Sequence, residues 1–190
     1  MTGDKQVGRP RSEDRRRAIL SAAMTELRDK GYAALTIEGI ATRAGSGKQT
    51  IYRWWPSKAE VVLEAMLTEV AAVITIPDTG SLPGDLTAFL AATFRQRGQR
   101  PVLIGLMAQA LLDPVFAQEF RDRFLFSRRD ALRQLIDRAI ARGEVASDID
   151  PELVIDVVYG VLWYRLLLDH APLDAESGRQ LAGFVVRAVQ

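Results

Sequence analysis

Between Thr36 and Lys58 the chain reads TIEGIATRAGSGKQTIYRWWPSK. Thr36 is a good N-cap, and Ile37, Ile40, Ala41 and Ala44 recur at helical spacing behind it, which predicts a short amphipathic helix. Gly45-Ser46-Gly47 makes a turn, and a second short helix is expected from about Lys48 to Trp55. Pro56 ends it, because proline disfavours helical geometry in the residue before it. Ser57 and Glu60 then form a capping box for a longer helix through Val62, Met66, Val70 and Val73. Two short helices around a glycine turn are the ingredients of a helix-turn-helix.

What matters is the face the second helix leaves outward. With 100° per residue and Ile51 set inward, Trp55 and Trp54 fall about 40° and 60° to either side and brace the helix. Gln49 and Arg53 fall about 160° and 200° round, with Tyr52 and Thr50 on the flanks. An amide, a guanidinium, a phenol and a hydroxyl suit base edges and phosphates, and the helix carries no acid to repel a phosphate. Lys58 and Thr36 stand at helix starts, where free amides and the helix dipole favour an anion. The arm Gly8-Arg9-Pro10-Arg11 is either a basic strand for the minor groove or backbone, or simply a disordered tail. The expected DNA contacts are therefore Arg9, Arg11, Thr36, Lys48, Gln49, Thr50, Tyr52, Arg53, Trp54 and Lys58.

Outward from this stretch the chain reads as helix throughout. Ahead of it, Asp14 to Lys30 aligns Ile19, Ala23 and Leu27 beside Leu20 and Met24, and Gly31 supplies a stop. Beyond a loop at 75–83, helical patterns occupy about 85–97, 102–112, 115–142, 151–169 and 174–189, with Asp150-Pro151 as a cap and first residue. The expected fold is all-α with about nine helices. A basic arm (1–12) precedes a three-helix helix-turn-helix domain (13–57) and a larger helical domain (58–190), whose effector-binding and dimerisation roles are what the resemblance given below implies.

Composition narrows the function. Residues 1–60 hold 12 Lys+Arg against 7 Asp+Glu, and residues 61–190 hold 13 against 17, so the basic third points to an anionic partner, nucleic acid ahead of membrane. The chain has no cysteine and one histidine, His170, which removes thiol chemistry, disulfides and a multi-His metal centre and fits a reducing cytoplasm. No apolar run approaches the ~20 residues needed to cross a bilayer, and no secretory signal is expected at the N-terminus. His170, next to Asp169 at a helix end, suits a capping or interface role. The acidic residues Asp148, Asp150 and Glu152 are explained by capping, and no metal ligand or cofactor is expected. Arg121, Arg123, Arg128, Arg129 and Arg133 read as the solvated face of a long helix.

Thr36, Ile40, Ala41, Ala44, Gly45, Lys48, Thr50, Ile51, Tyr52, Trp55, Ser57 and Lys58 together resemble the DNA-binding signature of the TetR family of bacterial transcriptional regulators, over about residues 14–66. Gly47 departs from that pattern where a Ser N-cap is common, and Gln49 where a small residue is frequent. The resemblance implies a homodimer formed by the last two helices, an inverted-repeat operator on double-stranded DNA, and a pocket for a small effector. Residues suited to the interface are Val154, Val158, Val161, Leu162 and Arg165 on the eighth helix, with Leu181, Phe184, Val185 and Ala188 on the ninth. Residues suited to the pocket are Phe89, Phe94, Met107, Leu111, Phe116, Phe120, Phe124, Tyr159 and Trp163, so a largely apolar effector is expected, although aromatic stripes at helical spacing are more often core. A repressor is the leading expectation. An activating or ligand-blind regulator is the alternative, and a helical carrier or enzyme fails for want of any nucleophile–base pair, metal constellation or phosphate loop.

Overall fold

A computed structural model of the protein describes residues 9–70, 76–95 and 99–190, without the side chains of 9–11 and 70. The described residues are helices and connecting turns, arranged in two units: Met1–Ala72 with Gly105–Ala117, and Val73–Ile104 with Gln118–Gln190.

In the first unit, α1 (Arg9–Ala34) begins inside the expected arm and is broken where the sequence predicts a stop, at Gly31 with φ 75° and ψ 166°. Its stripe of Ile19, Leu20, Ala23, Met24 and Leu27 is buried against α2 (Ile37–Arg43) and α4 (Lys58–Val70). Thr36 caps α2 by accepting from the Gly39 amide at 3.1 Å. Gly45, at φ 60°, makes the turn, where a side chain would be strained. α3 (Lys48–Trp54) follows and ends one residue earlier than expected: Trp55 is already extended (φ −136°, ψ 108°), as a residue before proline prefers. In the predicted capping box the Ser57 hydroxyl accepts from the Glu60 amide at 3.3 Å.

In the second unit, α5 (Leu82–Phe94) starts three residues before the periodicity suggests, because Ser81 caps it and Pro83 occupies the first turn. α6 (Arg100–Leu112) and α7 follow, α7 comprising Pro114–Phe120, a π-helical turn Arg121–Leu125, and Phe126–Ala141; of these, Gly105–Ala117 belong to the first unit and the rest to the second. α8 (Pro151–Leu168) has the expected Asp150 cap, and α9 (Ala175–Val189) opens with a reciprocal cap between Asp174 and Ser177. α5 and α9 approach so closely at Gly178 that a Cβ there would lie 2.7 Å from the Leu90 carbonyl oxygen. Asp85, fully buried, accepts from the Thr79 amide at 2.6 Å and hydroxyl at 2.9 Å and faces Arg142. Burial alone would raise its pKa, but the Thr79 bonds and Arg142 hold the carboxyl below its usual value.

The basic residues of α7 do not form one solvated face. Arg129 pairs with Glu152 and Asp156 of α8, and Arg133 with Glu152 and with Asp137. Arg128 instead turns inward, over the Phe124 ring.

Candidate nucleic-acid interface

The exposed side of α3 carries what its periodicity predicts. Ile51 is fully buried, Gln49 and Arg53 are exposed, Tyr52 is half-exposed, and Thr50 is half-buried. The two tryptophans differ in what they do. Trp55 is 2% exposed, and its indole N–H donates to Glu64 Oε2 on α4 at 2.9 Å. Trp54 is half-buried, packs edge-on against Trp55 with centroids 5.5 Å apart, and has the Arg53 guanidinium 5.6 Å from its ring. Glu64 also pairs with Arg16 of α1 at 2.6 Å, so one buried carboxylate ties the end of α3 to two longer helices.

Two of the lysines are already engaged. Lys48 pairs with the exposed Glu38 of α2 at 2.8 Å; the lysine's hydrogen bond holds the Glu38 carboxyl below its ordinary range and raises the ammonium in turn. α3 itself is free of acids, but a carboxylate from the preceding helix stands beside it. Lys58 donates to the Tyr32 and Leu35 carbonyls at 3.1 and 3.0 Å and lies 4.7 Å from the Tyr32 ring centre. Its ammonium thus fastens the start of α4 to the end of α1, with two of three donors committed to protein. The Arg9 and Arg11 side chains lie outside the described residues.

Sequence reasoning missed the network behind α2. Glu26, buried on α1, accepts from Arg43 at 2.8 Å and pairs with Lys30 at 2.6 Å, while Arg43 also reaches Asp29 at 2.7 Å. The Lys30 and Arg43 hydrogen bonds hold the Glu26 carboxyl below its usual value. Separations of 14 and 17 residues give no periodic signal for these pairs.

A family model for bacterial regulatory proteins of the tetR family matches residues 19–65, and one for the tetracyclin repressor-like C-terminal domain matches residues 76–185. The chain belongs to the TetR family of transcriptional regulators. It is 36% identical over 185 residues to the uncharacterized HTH-type regulator YdeS of Bacillus subtilis, covering 96% of this chain and 93% of that one. It is 31% identical to a DNA-binding transcriptional repressor TetR of Mycobacteroides abscessus, covering 89% and 90%. The crystal structure of the TetR family regulator SCO0332 superposes with a TM-score of 0.78 at 29% identity, over 93% of this chain and 99% of that one. Proteins of this family regulate transcription and are not enzymes. Among the described residues no helix is long and apolar enough to cross a membrane.

For this TetR-family chain, the residues expected at a dimer interface differ in burial within the subunit. Val154, Val158, Leu162, Leu181 and Val185 are buried inside the subunit, Val161 and Arg165 are half-buried, and Phe184 and Ala188 alone are exposed. α8 is apolar on both faces, so the sequence cannot tell which one the same subunit covers, whereas the outward side of α9 carries Glu176, Arg179, Gln180 and Arg187 around Phe184. The outward stripe on α8 is instead Leu153, Val157, Gly160, Tyr164 and Leu168. The His170 ring lies tilted against Tyr164, with centroids 4.3 Å apart.

The expected pocket residues are also divided. Met107, Leu111 and Phe116 belong to the first unit, where Phe116 is buried and Leu111 is 78% exposed. In the second unit Phe89, Phe94, Phe120, Phe124 and Tyr159 are buried; Phe120 stacks on Phe124 at 5.1 Å and meets Trp163 edge-on at 6.5 Å. The Tyr159 hydroxyl donates to the Arg128 carbonyl at 2.8 Å, and burial raises its pKa well above the usual phenol value. A small apolar void in this unit is lined by Leu82, Leu86, Ile136, Val145, Val154, Val185 and Val189, none of them among the residues expected to line a pocket.

Proposed function

We propose that the protein is a homodimeric repressor that reads an inverted-repeat operator with α3 and is released by a small effector bound in the second unit. The observation that carries the DNA reading is the acid-free outward face of α3, where Gln49, Tyr52 and Arg53 are exposed and the helix end is locked by Trp55 on Glu64. Gln49 is the base reader, since an amide pairs bidentately with adenine. Tyr52, Arg53 and Thr50 contact phosphates or flanking bases, and Thr36 holds a phosphate at the start of α2, each fixing register. Acting on the chromosome places the protein in the cytoplasm.

Dimerisation through α8 and α9 is supported by the exposed stripe of Leu153, Val157, Tyr164 and Leu168 with Phe184, a row of large apolar side chains that a lone subunit leaves in water. Gly160 in its middle lets a partner helix come close. Two reading helices related by a twofold axis engage half-sites ~34 Å apart, which makes a seven-residue helix useful. Release follows from linkage: an effector that prefers the arrangement with wrongly spaced reading helices weakens DNA binding by its differential affinity.

The test is fluorescence anisotropy with DNA flanking the protein's own gene, at moderate salt, using protein whose mass has been measured by light scattering. A specific complex of two subunits per palindrome is expected. A monomer in solution, or equal affinity for flanking and random DNA, would refute the proposal. Gln49→Ala should relax base preference by ~1–3 kcal/mol at one position, whereas Tyr52→Ala should weaken binding to all sequences alike.

A further inference from the structure

Between Thr36 and Lys58 the chain carries four cations, Arg43, Lys48, Arg53 and Lys58, and a single acid, Glu38. Arg43 is drawn back to Glu26 and Asp29 of α1, and Lys58 to the Tyr32 and Leu35 carbonyls. That leaves Lys48 and Arg53 to meet a phosphate backbone from the reading helix. Arg53 lies against the Trp54 ring, and no carboxylate among the described residues stands within ion-pair distance of it. Lys48 differs: its ammonium is 2.8 Å from Glu38 Oε1, and both side chains are more than half exposed, at 54% and 61%. The one acid of the segment, in the first turn of α2, thus meets the cation that opens α3. Each partner favours the charged form of the other, lowering the Glu38 pKa and raising that of Lys48, so the pair persists across the neutral range.

An exposed pair of this kind adds little to stability. Its consequence lies in what Lys48 can give to DNA. Binding to DNA of any sequence is driven by protein cations that displace the counter-ions condensed on the phosphates. A lysine that must leave a carboxylate to reach a phosphate exchanges one ion pair for another, and the abandoned carboxylate gathers a cation from solution, so the net release of ions is close to nil. Resting on the reading of α3 as the DNA-contacting helix, we propose that Glu38 is an internal counter-ion that withholds Lys48 from DNA phosphates, limiting affinity for DNA of any sequence and its dependence on salt. The Gln49 amide and the base edges take no part in this exchange, so Glu38 sets how tightly DNA is held and not which sequence is chosen. Random sites outnumber an operator by on the order of 10⁶ or more, and a weaker hold on them keeps the protein from being detained there.

The test is fluorescence anisotropy of the full-length protein on a duplex from the DNA flanking its own gene and on a random duplex, between about 50 and 200 mM salt. Glu38→Gln should bind both duplexes more tightly than wild type, and the slope of log affinity against log salt should steepen by ~0.9 per subunit, or ~1.8 for a dimer. Over that salt range the variant should therefore lose roughly tenfold more affinity than wild type. Glu38→Asp, which keeps the charge, should stay near wild type. In a Lys48→Gln background the Glu38→Gln change should steepen the slope by less than half as much. An unchanged slope in Glu38→Gln would overturn the proposal. Equal steepening with and without Lys48 would do so too, by showing a general effect of charge, and a change confined to the flanking duplex would make Glu38 a base reader instead. Both side chains are exposed, so the variants should melt with wild type. Gln49→Ala and Tyr52→Ala test the α3 reading separately: if they alter DNA binding while Glu38→Gln does not, this inference alone fails.

Discussion

Trp55→Phe removes the donor that locks the end of the DNA-reading helix while keeping an aromatic ring in the same place. Glu64 Oε2 loses the indole N–H at 2.9 Å and stays in a site where its residue is only 9% exposed, with Arg16 still on Oε1. A hydrogen bond to a charged group contributes ~1.5–3 kcal/mol, and the volume left by the smaller ring costs about 1 kcal/mol more. The expected loss is therefore about 2.5–4 kcal/mol, measured by urea unfolding followed by circular dichroism. Glu64→Gln and the double variant complete a cycle that separates the hydrogen bond from packing, with a coupling of at least about 1 kcal/mol expected. A loss under about 0.5 kcal/mol for Trp55→Phe, or additivity of the two changes within about 0.3 kcal/mol, would show that the indole–carboxylate bond does not hold α3 in place.

Gly47→Ser should stabilise by a few tenths of a kcal/mol in thermal melts: Gly47 caps α3 at φ −78° and ψ 147° without a side-chain bond, and a Cβ there meets nothing within 4 Å. A lower melting temperature would contradict it. Gly178→Ala should destabilise by about 1–3 kcal/mol, because its Cβ would sit 2.7 Å from backbone oxygen of Leu90 that no side-chain motion can move. An unchanged urea midpoint would mean that α5 and α9 are not closely packed there. Asp85 has a folded pKa below its unfolded value of about 3.9, so its contribution is present above that value and lost as pH falls through the folded one. Asp85→Asn should therefore cost about 1–2 kcal/mol at pH 7 and flatten part of the acid limb of the melting-temperature profile. An acid limb identical to wild type would remove Asp85 from it.

The helical class, the turn at Gly45 and the outward face of α3 follow from residues close together in the sequence, where spacing, capping and proline geometry act over a turn or two. The α1 stripe and the Asp150 cap were legible for the same reason. α5 began earlier than its apolar pattern because a polar Ser81 cap, not hydrophobicity, sets the first turn. The single helix expected across 115–142 contains a π-helical turn that no apolar spacing announces.

Partners were left to the tertiary structure. Lys58 stands at a helix start in the sequence, but the carbonyls it binds, Tyr32 and Leu35, come from 26 and 23 residues away. Arg128 and Arg129 are adjacent and chemically identical, yet one meets acids from α8 and the other a phenylalanine ring, because successive helical residues point 100° apart and meet different neighbours. The same step sends Val154 and Val158 into the subunit and Leu153 and Val157 out of it. Local periodicity fixes that a helix forms and which residues share a side; which side meets the core, water or another charge depends on helices distant in sequence, and only packing brings those together.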